Sequence, residues 1–409
     1  MTRLLRLLGA VFILLAGCGG DRTAEPWLGA PRPIPSPAGV GARFPNLAVA
    51  GKGVAVMSWL EPATDGAFRL RHASFAGNGS WTVPTTVAEG KDWFVNWADF
   101  PSVVPVDETN WAAHWLQQKP GSVYSYDVRV SLSGDGGRTW STPFSPHDDG
   151  TPTEHGFVSI ASVEGRPYAV WLDGRNTTGE GHGHDTGHGS GGAMTLRGAI
   201  LGKTGAEAGT ELDGRVCDCC QTDAAATTDG LLVVYRDRGN DETRDIHATR
   251  LTRAGWSKPV AVHADGWRID ACPVNGPAAA ARGEHVAVAW FTAADQPRVR
   301  LAWSRDGGRT FAAPIEVAAG RVLGRVDVVL LEDDRAVVSW LAETPAGAVI
   351  RAQPFTRAGA AGPAIDVAAA DVARSSGFPQ MASTNGGLLF AWTGNGATPT
   401  VRTVFAPLR

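Results

Sequence analysis

The amino-acid sequence predicts an all-β fold, a β-propeller with seven blades, or with six if one repeat is not a true blade. An apolar strand that ends in an aromatic residue recurs roughly every 50–60 residues, a spacing typical of four-stranded propeller blades. The 51 glycines and 26 prolines among 409 residues indicate many turns. No stretch has the pattern of a helix of normal length, which also favours an all-β fold.

The aromatic residue marks the second strand of each repeat. That strand is apolar throughout, as expected for a strand buried on both faces. The third strand alternates polar and apolar residues, and the fourth begins near a W-x-x-P or F-x-x-P sequence. A histidine-rich and glycine-rich insertion at 179–194 lengthens the third interval. The seven aromatic residues are Trp59, Trp115, Trp171, Tyr235, Trp290, Trp340 and Trp392.

The two ends of the chain are predicted to share one blade. The last repeat stops after its third strand, at Arg409. Residues 26–46 align with residues 255–275, which contain a fourth strand and the start of the next repeat. We therefore expect the N-terminal segment to complete the last blade and close the ring, which also removes exposed sheet edges. The predicted organisation is a single propeller domain from residue 26 to residue 409.

The first residues indicate export. Arg3 and Arg6 precede an apolar run that is too short to span a bilayer, and the run ends in Leu-Leu-Ala-Gly-Cys at Cys18. This segment resembles the lipobox of bacterial lipoproteins. The resemblance implies a signal peptide at 1–17, a lipid on Cys18 and a tether at 18–25. We expect a membrane-anchored protein of the cell envelope, in the outer membrane where the cell has one.

The overall charge argues against one class of partner. The formal net charge is −4 and the sequence has no basic stripe. Nucleic acid is therefore not expected as a partner. We expect the protein to be a monomer.

Two predicted hairpins share a sharper pattern. Residues 133–140 and 304–311 both read S-x-D-x-G-x-x-W/F. In such a turn the Asp can bond the backbone, the Gly supplies a positive φ, and the aromatic residue packs between blades. This pattern resembles the Asp-box, or BNR repeat, of the sialidase superfamily. The resemblance implies a sialidase-like propeller whose Asp-boxes are structural and lie opposite the usual binding face.

Candidate site residues fall in loops that should lie together on that binding face, because a rigid scaffold commonly presents functional loops at one end. Arginine forks bind carboxylates bidentately, so the arginine-rich loops could hold an anionic ligand. Alternatively, the arginines and aspartates pair with one another in a lattice that stiffens the blades. The ligand-binding candidates are Arg43, His155, Arg236, Arg238, Arg244, Trp267, Arg268, Asp270 and Arg325.

A glycosidase activity of the sialidase type is only partly supported. Residues 42–45, Ala-Arg-Phe-Pro, are similar to the FRIP motif of sialidases, and Arg43 is the only arginine that the resemblance carries over. Sialidases use an Asp as acid/base and a Tyr paired with a Glu as nucleophile. The catalytic candidates here are Asp237 and Arg43. The expected late tyrosine is absent, since Tyr235 is the last tyrosine and closes an apolar strand.

The four cysteines after Cys18 allow two interpretations. Export favours one or two disulfides, for example from Cys272 to Cys219 or Cys220. The alternative is a thiolate site for copper or zinc that also uses Cys217. The insertion could add further ligands, although ordering so many glycines costs conformational entropy. These further candidate ligands are His182, His184 and His188.

Three hypotheses about function follow. The favoured one is an exported, lipid-anchored, sialidase-like propeller that binds an anionic or glycan ligand at its central mouth, with hydrolysis left open. The second is an extracytoplasmic copper-binding or zinc-binding protein that uses the cysteines and the histidine-rich insertion. The third is an interaction scaffold of the cell envelope.

Overall fold

The computed structural model of the protein describes residues 27–76, 79–177 and 192–409. The fold is all-β, and seven antiparallel sheets form the blades of a propeller ring. The seven-bladed prediction is therefore confirmed over the six-bladed alternative. No helix in the described residues is long and apolar enough to cross a membrane. The three short 3-10 helices are Gly51–Gly53, Thr64–Gly66 and Arg374–Ser376.

Within each blade, the first three strands pair in chain order, the first strand is the innermost, and the strands that follow pair with the third. Blade 2 has three strands, with Phe144 adding one bridge to Val130 where a fourth strand would lie. Blade 1 consists of β2 (Arg43–Ala50), β3 (Val54–Pro62), β4 (Phe68–Phe75) and β5 (Thr85–Gly90). Blade 2 consists of β6 (Ser102–Pro105), β7 (Trp111–Gln118) and β8 (Tyr126–Ser133). Blade 3 consists of β9 (His155–Val163), β10 (Arg166–Asp173), β11 (Thr195–Gly202), β12 (Gly205–Ala206) and β13 (Thr210–Asp213).

The other four blades follow the same plan. Blade 4 consists of β14 (Asp223–Thr227), β15 (Gly230–Arg236), β16 (Ile246–Thr252), β17 (Gly255–Trp256) and β18 (Val260–Ala261). Blade 5 consists of β19 (Ala278–Arg282), β20 (His285–Thr292), β21 (Arg298–Ser304) and β22 (Ile315–Ala319). Blade 6 consists of β23 (Val322–Leu330), β24 (Ala336–Thr344), β25 (Gly347–Thr356), β26 (Gly359–Ala360) and β27 (Ile365–Ala370). Blade 7 consists of β28 (Gln380–Thr384), β29 (Gly387–Gly394), β30 (Thr400–Pro407) and β1 (Arg32–Ile34).

The N-terminal strand closes the ring, as the alignment of the two ends predicted. Strand β1 pairs antiparallel with β30, with Arg32 opposite Phe405. Just before β1, the buried Trp27 donates a hydrogen bond from Nε1 to the carbonyl of Pro363, 2.9 Å away, in blade 6. The segment therefore joins the last two blades as well as completing blade 7.

The core lies between blades, where the faces of adjacent sheets meet. The aromatic residues of the second strands fill this space: Trp171 of β10, fully buried, packs with Tyr126 and Val128 of the neighbouring blade 2. A sheet buried on both faces needs apolar residues at consecutive positions. This requirement explains why the second strands are apolar throughout rather than alternating.

The two turns with the shared S-x-D-x-G pattern have the same hydrogen bonds. In the first, an Asp135 carboxylate oxygen accepts the Ser133 hydroxyl at 2.8 Å and the Thr139 N–H at 2.9 Å. Asp306 accepts the equivalent bonds in the second turn. Gly137 has a φ of 79°, and a Cβ there would lie 2.7 Å from the Trp111 ring. The turns therefore require both the Asp and the Gly for structural reasons.

Three aspartates, Asp99 buried and Asp223 and Asp327 half-buried, link successive blades around the axis. Each accepts a hydrogen bond from a backbone N–H of the next blade. Burial raises the pKa of Asp99 and of Asp327 to about 7 and that of Asp223 to about 6. The links are Asp99 to the Phe157 N–H at 2.8 Å, Asp223 to the Ala279 N–H at 2.7 Å, and Asp327 to the Met381 N–H at 2.6 Å.

Candidate functional site

Four cysteines meet at the mouth of the propeller, the end of the axis where the loops leading into the blades lie. Cys217, Cys219 and Cys220 precede β14, and their Sγ atoms all lie within 4.8 Å of one another. The Sγ atoms of Cys217 and Cys219 are 4.0 Å apart. Cys272, which precedes β19, forms a hydrogen bond with Cys219. We call these four residues the thiol cluster.

The thiol cluster contains no disulfide. All four side chains are free thiols. A disulfide needs a sulfur–sulfur distance of about 2.0 Å, half the separation of Cys217 and Cys219 at 4.0 Å. The disulfides that export led us to expect are therefore not found in the described residues. The thiol cluster has the reduced state that the metal-binding alternative requires.

The thiol cluster has a closed inner side and an open outer side. The chain before Cys217 runs beside the end of β15, where Val216 bridges to Asp237 and the Cys217 N–H donates to the Arg236 carbonyl at 3.0 Å. Cys217 and Cys220 are 1% and 2% exposed. Cys219 and Cys272 are partly exposed to solvent. An ion could therefore reach the sulfurs only from the outer side.

Arg236 is buried at the base of the thiol cluster and is not available to a ligand. Its guanidinium lies 4.8 Å from the centre of the Trp267 ring. It donates to the backbone carbonyls of Asn275, Arg244 and Phe291 at 2.6–3.0 Å. Among the described residues it has no carboxylate partner. Both Arg236 and Trp267, which we expected to contact a ligand, instead hold the loops together.

Two further arginines connect the thiol cluster to carboxylates. Arg238 is buried, and its guanidinium donates to both Asp218 oxygens and to Glu242. Arg244 is 1% exposed and places Nη1 3.5 Å from the Cys217 sulfur, while Nη2 donates to Glu242 at 2.9 Å. The Nε of Arg244 is buried without a hydrogen-bond acceptor among the described residues. The lattice alternative describes these arginines better than an open anion pocket.

The three adjacent thiols do not titrate alike. Burial alone would raise the pKa of Cys217, but hydrogen bonds with Cys219 and Cys220 and the charge of Arg244 lower it well below its usual value. Burial and the interaction with Cys217 raise the pKa of Cys219 and of Cys220 well above the usual value. Arg244, with Nη1 3.5 Å from the sulfur, is therefore the cationic partner of Cys217 in the thiol cluster.

The remaining arginine and aspartate candidates lie apart from the thiol cluster. Arg43 is half-buried, its Nε donating to the Gly41 carbonyl at 3.2 Å, and burial lowers its pKa. Arg268 and Asp270 are exposed. Arg325 is buried between aromatic rings and donates to the Ser376 hydroxyl at 2.7 Å, and burial lowers its pKa to about 10. Among the described residues, no contact joins Arg43, Arg236, Arg268 and Arg325 into the pocket that we predicted.

His155 belongs to a separate cluster that the sequence did not reveal. Its ring stacks on that of His147 with 3.9 Å between centroids. His155 Nε2 lies 3.1 Å from Asp149, and the hydrogen bonds from both histidines lower the Asp149 pKa against the effect of burial. Arg175 pairs with Asp149 and Asp173 at 3.2 and 2.7 Å. Arg175 offsets part of the negative charge of these carboxylates, and His155 Nδ1 lies 3.3 Å from the Tyr126 carbonyl of blade 2.

A second buried group that sequence reasoning missed lies between the axis and the thiol cluster. The Tyr126 hydroxyl is 3.0 Å from an Asp99 oxygen and 2.5 Å from a Glu154 oxygen. Burial, with the charges of Asp99, Asp218 and Cys272, raises the Glu154 pKa to about 8. Because a phenol has one proton, one of the two carboxyl groups must donate the other hydrogen bond. Tyr126 is fully buried, whereas Glu154 is half-buried, so only the carboxyl end of this pair reaches solvent.

Asp237, the catalytic candidate, points away from the thiol cluster, as alternation along a strand requires. Its nearest ionisable partner is His247, with Nδ1 3.6 Å from an Asp237 oxygen. Burial and the nearby charges of Asp213 and Asp245 raise the Asp237 pKa. Tyr235 donates a hydrogen bond to Asp213 at 2.6 Å. Asp237 and Arg43 lie in different blades and form no shared contact in the described residues.

A cavity of about 230 Å³ lies on the axis. Its lining includes the carboxyl groups of Asp99, Asp223 and Asp327 and the amides of Gln221 and Gln380, and it contains no arginine. The lining is therefore suited to hydroxyl groups rather than to an anion. The candidates His182, His184 and His188 and the lipidation candidate Cys18 lie outside the described residues.

Fold and site together define a seven-bladed propeller with a reduced thiol cluster at its mouth. Among similar solved structures is a protein of unknown function from Dyadobacter fermentans, with 15% identity, 93% of this chain and 98% of that chain covered, and a TM-score of 0.51. A mutant NanB sialidase from Streptococcus pneumoniae has 8% identity, coverage of 95% and 96%, and a TM-score of 0.48. The GH43_1 enzyme from Xanthomonas citri has 12% identity, coverage of 82% and 93%, and a TM-score of 0.39.

Sialidases are thus among the structures that this propeller resembles, in agreement with the resemblance seen in the sequence. No protein-family model matches the chain, and no curated protein does. At such low identity the likeness is one of fold alone. Function must therefore be argued from the site.

Proposed function

We propose that this protein binds a thiophilic metal ion, Cu(I) or Zn(II), through Cys217, Cys219, Cys220 and Cys272 at the mouth of the propeller. The observation that carries the proposal is the meeting of four free thiols from two separate loops. Thiolates are the ligands that select Cu(I) and zinc over harder cations. The anionic-ligand hypothesis that the arginines suggested has less support, because Arg236 and Arg238 are already paired within the chain.

The surroundings of the thiol cluster support an anionic metal–thiolate group. A buried charge needs a compensating charge or strong hydrogen bonds. Arg236 has only carbonyl acceptors, and Arg244 directs one nitrogen at the Cys217 sulfur while its Nε remains without an acceptor in the described residues. Both guanidiniums therefore favour deprotonated sulfur, the form that binds metal.

The test is metal stoichiometry on the purified, reduced chain. The protein is incubated separately with Cu(I) and Zn(II), desalted, and measured by elemental analysis together with thiol titration. We expect one ion per chain, with thiols that become titratable only after a strong chelator is added. The variant Cys217→Ser with Cys219→Ser should lose the ion. Cys18→Ser, which removes the one cysteine outside the cluster, serves as the matched control.

Two results would count against metal binding. One is a wild-type chain that retains neither ion after desalting. The other is retention that is the same in the double variant and in the wild type, since the ion would then be held elsewhere.

Export and lipid anchoring complete the proposed function. The charged, apolar and small-residue regions before Cys18 support a lipoprotein of the cell envelope. Mass spectrometry of the N-terminal peptide from membranes should find a diacylglyceryl group on Cys18. Cys18→Ala should leave the signal peptide uncleaved, and an unmodified wild-type Cys18 would contradict the anchor.

A neutral glycan is a second candidate ligand, favoured by the axial cavity. Carboxyl and amide groups such as Asp99 and Gln380 suit sugar hydroxyls, whereas three carboxyl groups disfavour a sialic acid carboxylate. Saturation-transfer NMR with matched neutral and sialylated oligosaccharides distinguishes the two, and we expect contact with the neutral set only. Sialoside turnover that disappears in Arg43→Ala would instead support the glycosidase hypothesis. If neither metal nor glycan binds, the scaffold hypothesis stands.

A further inference from the structure

We infer that the thiol cluster is a three-coordinate Cu(I) site formed by Cys217, Cys219 and Cys220, and that Cys272 is an outer ligand through which the ion is exchanged. This inference rests on the proposed function, because it specifies which ion binds and which role each of the four sulfurs has.

The spacing of the sulfurs distinguishes an inner set of three from Cys272. With metal–sulfur bonds of about 2.3 Å, neighbouring sulfurs lie about 4.0 Å apart in a trigonal site and about 3.8 Å apart in a tetrahedral one. Cys217 and Cys219 are 4.0 Å apart, and Cys220 belongs to the same compact set. Cys272 contacts Cys219 but is not part of that set. A tetrahedral zinc site would need all four sulfurs at short mutual distances.

Coordination number then favours the monovalent ion. Structural zinc sites are closed by four ligands, and the inner set supplies three. Cu(I) is satisfied by three thiolates, and soft sulfur donors select it. Three thiolates and Cu(I) carry two net negative charges, and two buried guanidiniums, those of Arg236 and Arg244, lie beside the sulfurs. The inner set therefore suits a trigonal Cu(I) site in number, spacing and charge.

Exposure assigns the exchange role to Cys272. Cys217 and Cys220 are 1% and 2% exposed, so an incoming donor cannot approach them directly. Cys272 is partly exposed and lies between β18 and β19, in a stretch without a strand. On either side of it, Trp267 and Asn275 are held by Arg236. Cys272 can therefore bind or release an ion while the inner loop keeps its conformation.

Loading the site is a ligand exchange without electron transfer. Cu(I) forms bonds to the three inner sulfurs and leaves its carrier ligand. Any inner sulfur that is protonated gives up its thiol proton to solvent as its bond to the ion forms. Cys272 can take part in the transient bond as the carrier leaves.

The first experiment uses the reduced wild-type chain and no variant. X-ray absorption on the full chain, purified in detergent and loaded anaerobically with Cu(I), counts the sulfur neighbours. We expect three at about 2.3 Å. Four sulfur neighbours, or preferential retention of Zn(II) in direct competition, would overturn the inference while leaving metal binding intact.

The second experiment separates inner and outer sulfurs. Transfer of Cu(I) to bicinchoninate is followed for Cys272→Ser, Cys217→Ser and the control Cys18→Ser. We expect Cys272→Ser to stay within about tenfold of the wild-type affinity while its transfer rate changes about 10–100-fold, and Cys217→Ser to lose stoichiometric binding. Equal losses of affinity in Cys272→Ser and Cys217→Ser would refute the division of roles. No binding by the wild type would instead refute the proposed function.

Discussion

Replacing Arg236 with methionine tests whether the buried guanidinium holds the mouth loops together. The guanidinium makes four hydrogen bonds of 2.6–3.0 Å to three backbone carbonyls and stacks on Trp267. Methionine keeps much of the apolar contact with the ring but leaves the carbonyls without these donors. Each buried acceptor left unsatisfied costs about 1–3 kcal/mol. We therefore expect Arg236→Met to lower the free energy of unfolding by about 3–5 kcal/mol.

The assay is urea unfolding followed by tryptophan fluorescence, with a chelator present so that bound metal does not contribute to stability. Arg268→Met is the matched control, because Arg268 is exposed and directly follows Trp267, on which Arg236 stacks. It should change stability by no more than about 0.5 kcal/mol. A loss below about 1 kcal/mol in Arg236→Met would show that water or other donors replace the guanidinium, and the structural assignment of Arg236 would be wrong.

Three further predictions concern other parts of the ring. Trp27→Ala should lower the free energy of unfolding by about 3–5 kcal/mol, because it empties a buried site where the N-terminal segment joins blade 6; an unchanged urea midpoint would contradict the closure. Asp135→Ala should cost about 1–3 kcal/mol by removing the turn bonds from Ser133 and Thr139, without any change in metal stoichiometry, and an altered stoichiometry would link the turns to the site. Glu154 has a folded-state pKa of about 8, above its unfolded value, so its contribution to stability should fall as pH rises from about 5 to 8. Urea midpoints measured across this pH range should decline less in Glu154→Gln than in the wild type. Parallel declines in the two proteins would refute the prediction.

The ring could be predicted from the sequence because each blade must bury both faces of its second strand. That requirement places an apolar strand with a terminal aromatic residue, such as Trp171 or Trp290, at a regular spacing. The last repeat lacks a strand after β30, and an unassigned segment precedes β2. Pairing that segment with β30 is the simplest way to complete the blade. A repeat pattern constrains the backbone strongly, because every copy must form the same four-stranded unit.

The candidate site was predictable in part. Cys220 and Cys272 precede the first strands of adjacent blades, and such positions are neighbours in any propeller. The roles of Arg236 and Arg325 could not be predicted, because their partners are backbone carbonyls and aromatic rings that leave no mark in the local sequence. The stacked pair of His147 and His155 depends on the path of an irregular loop, which no periodic pattern describes.

The closure of the ring also sets which side of the propeller the proposed lipid anchor on Cys18 would join. Strand β1 starts beside the end of β30, where Leu28 bridges to Leu408, and this end of the blade lies opposite the mouth. The tether between an acylated Cys18 and the propeller would be at most about 30 Å long when fully extended. The bilayer would then lie beneath the side that carries the Asp135 and Asp306 turns. The sulfurs would point outward into the surrounding compartment, where a soluble carrier could dock without competing with lipid.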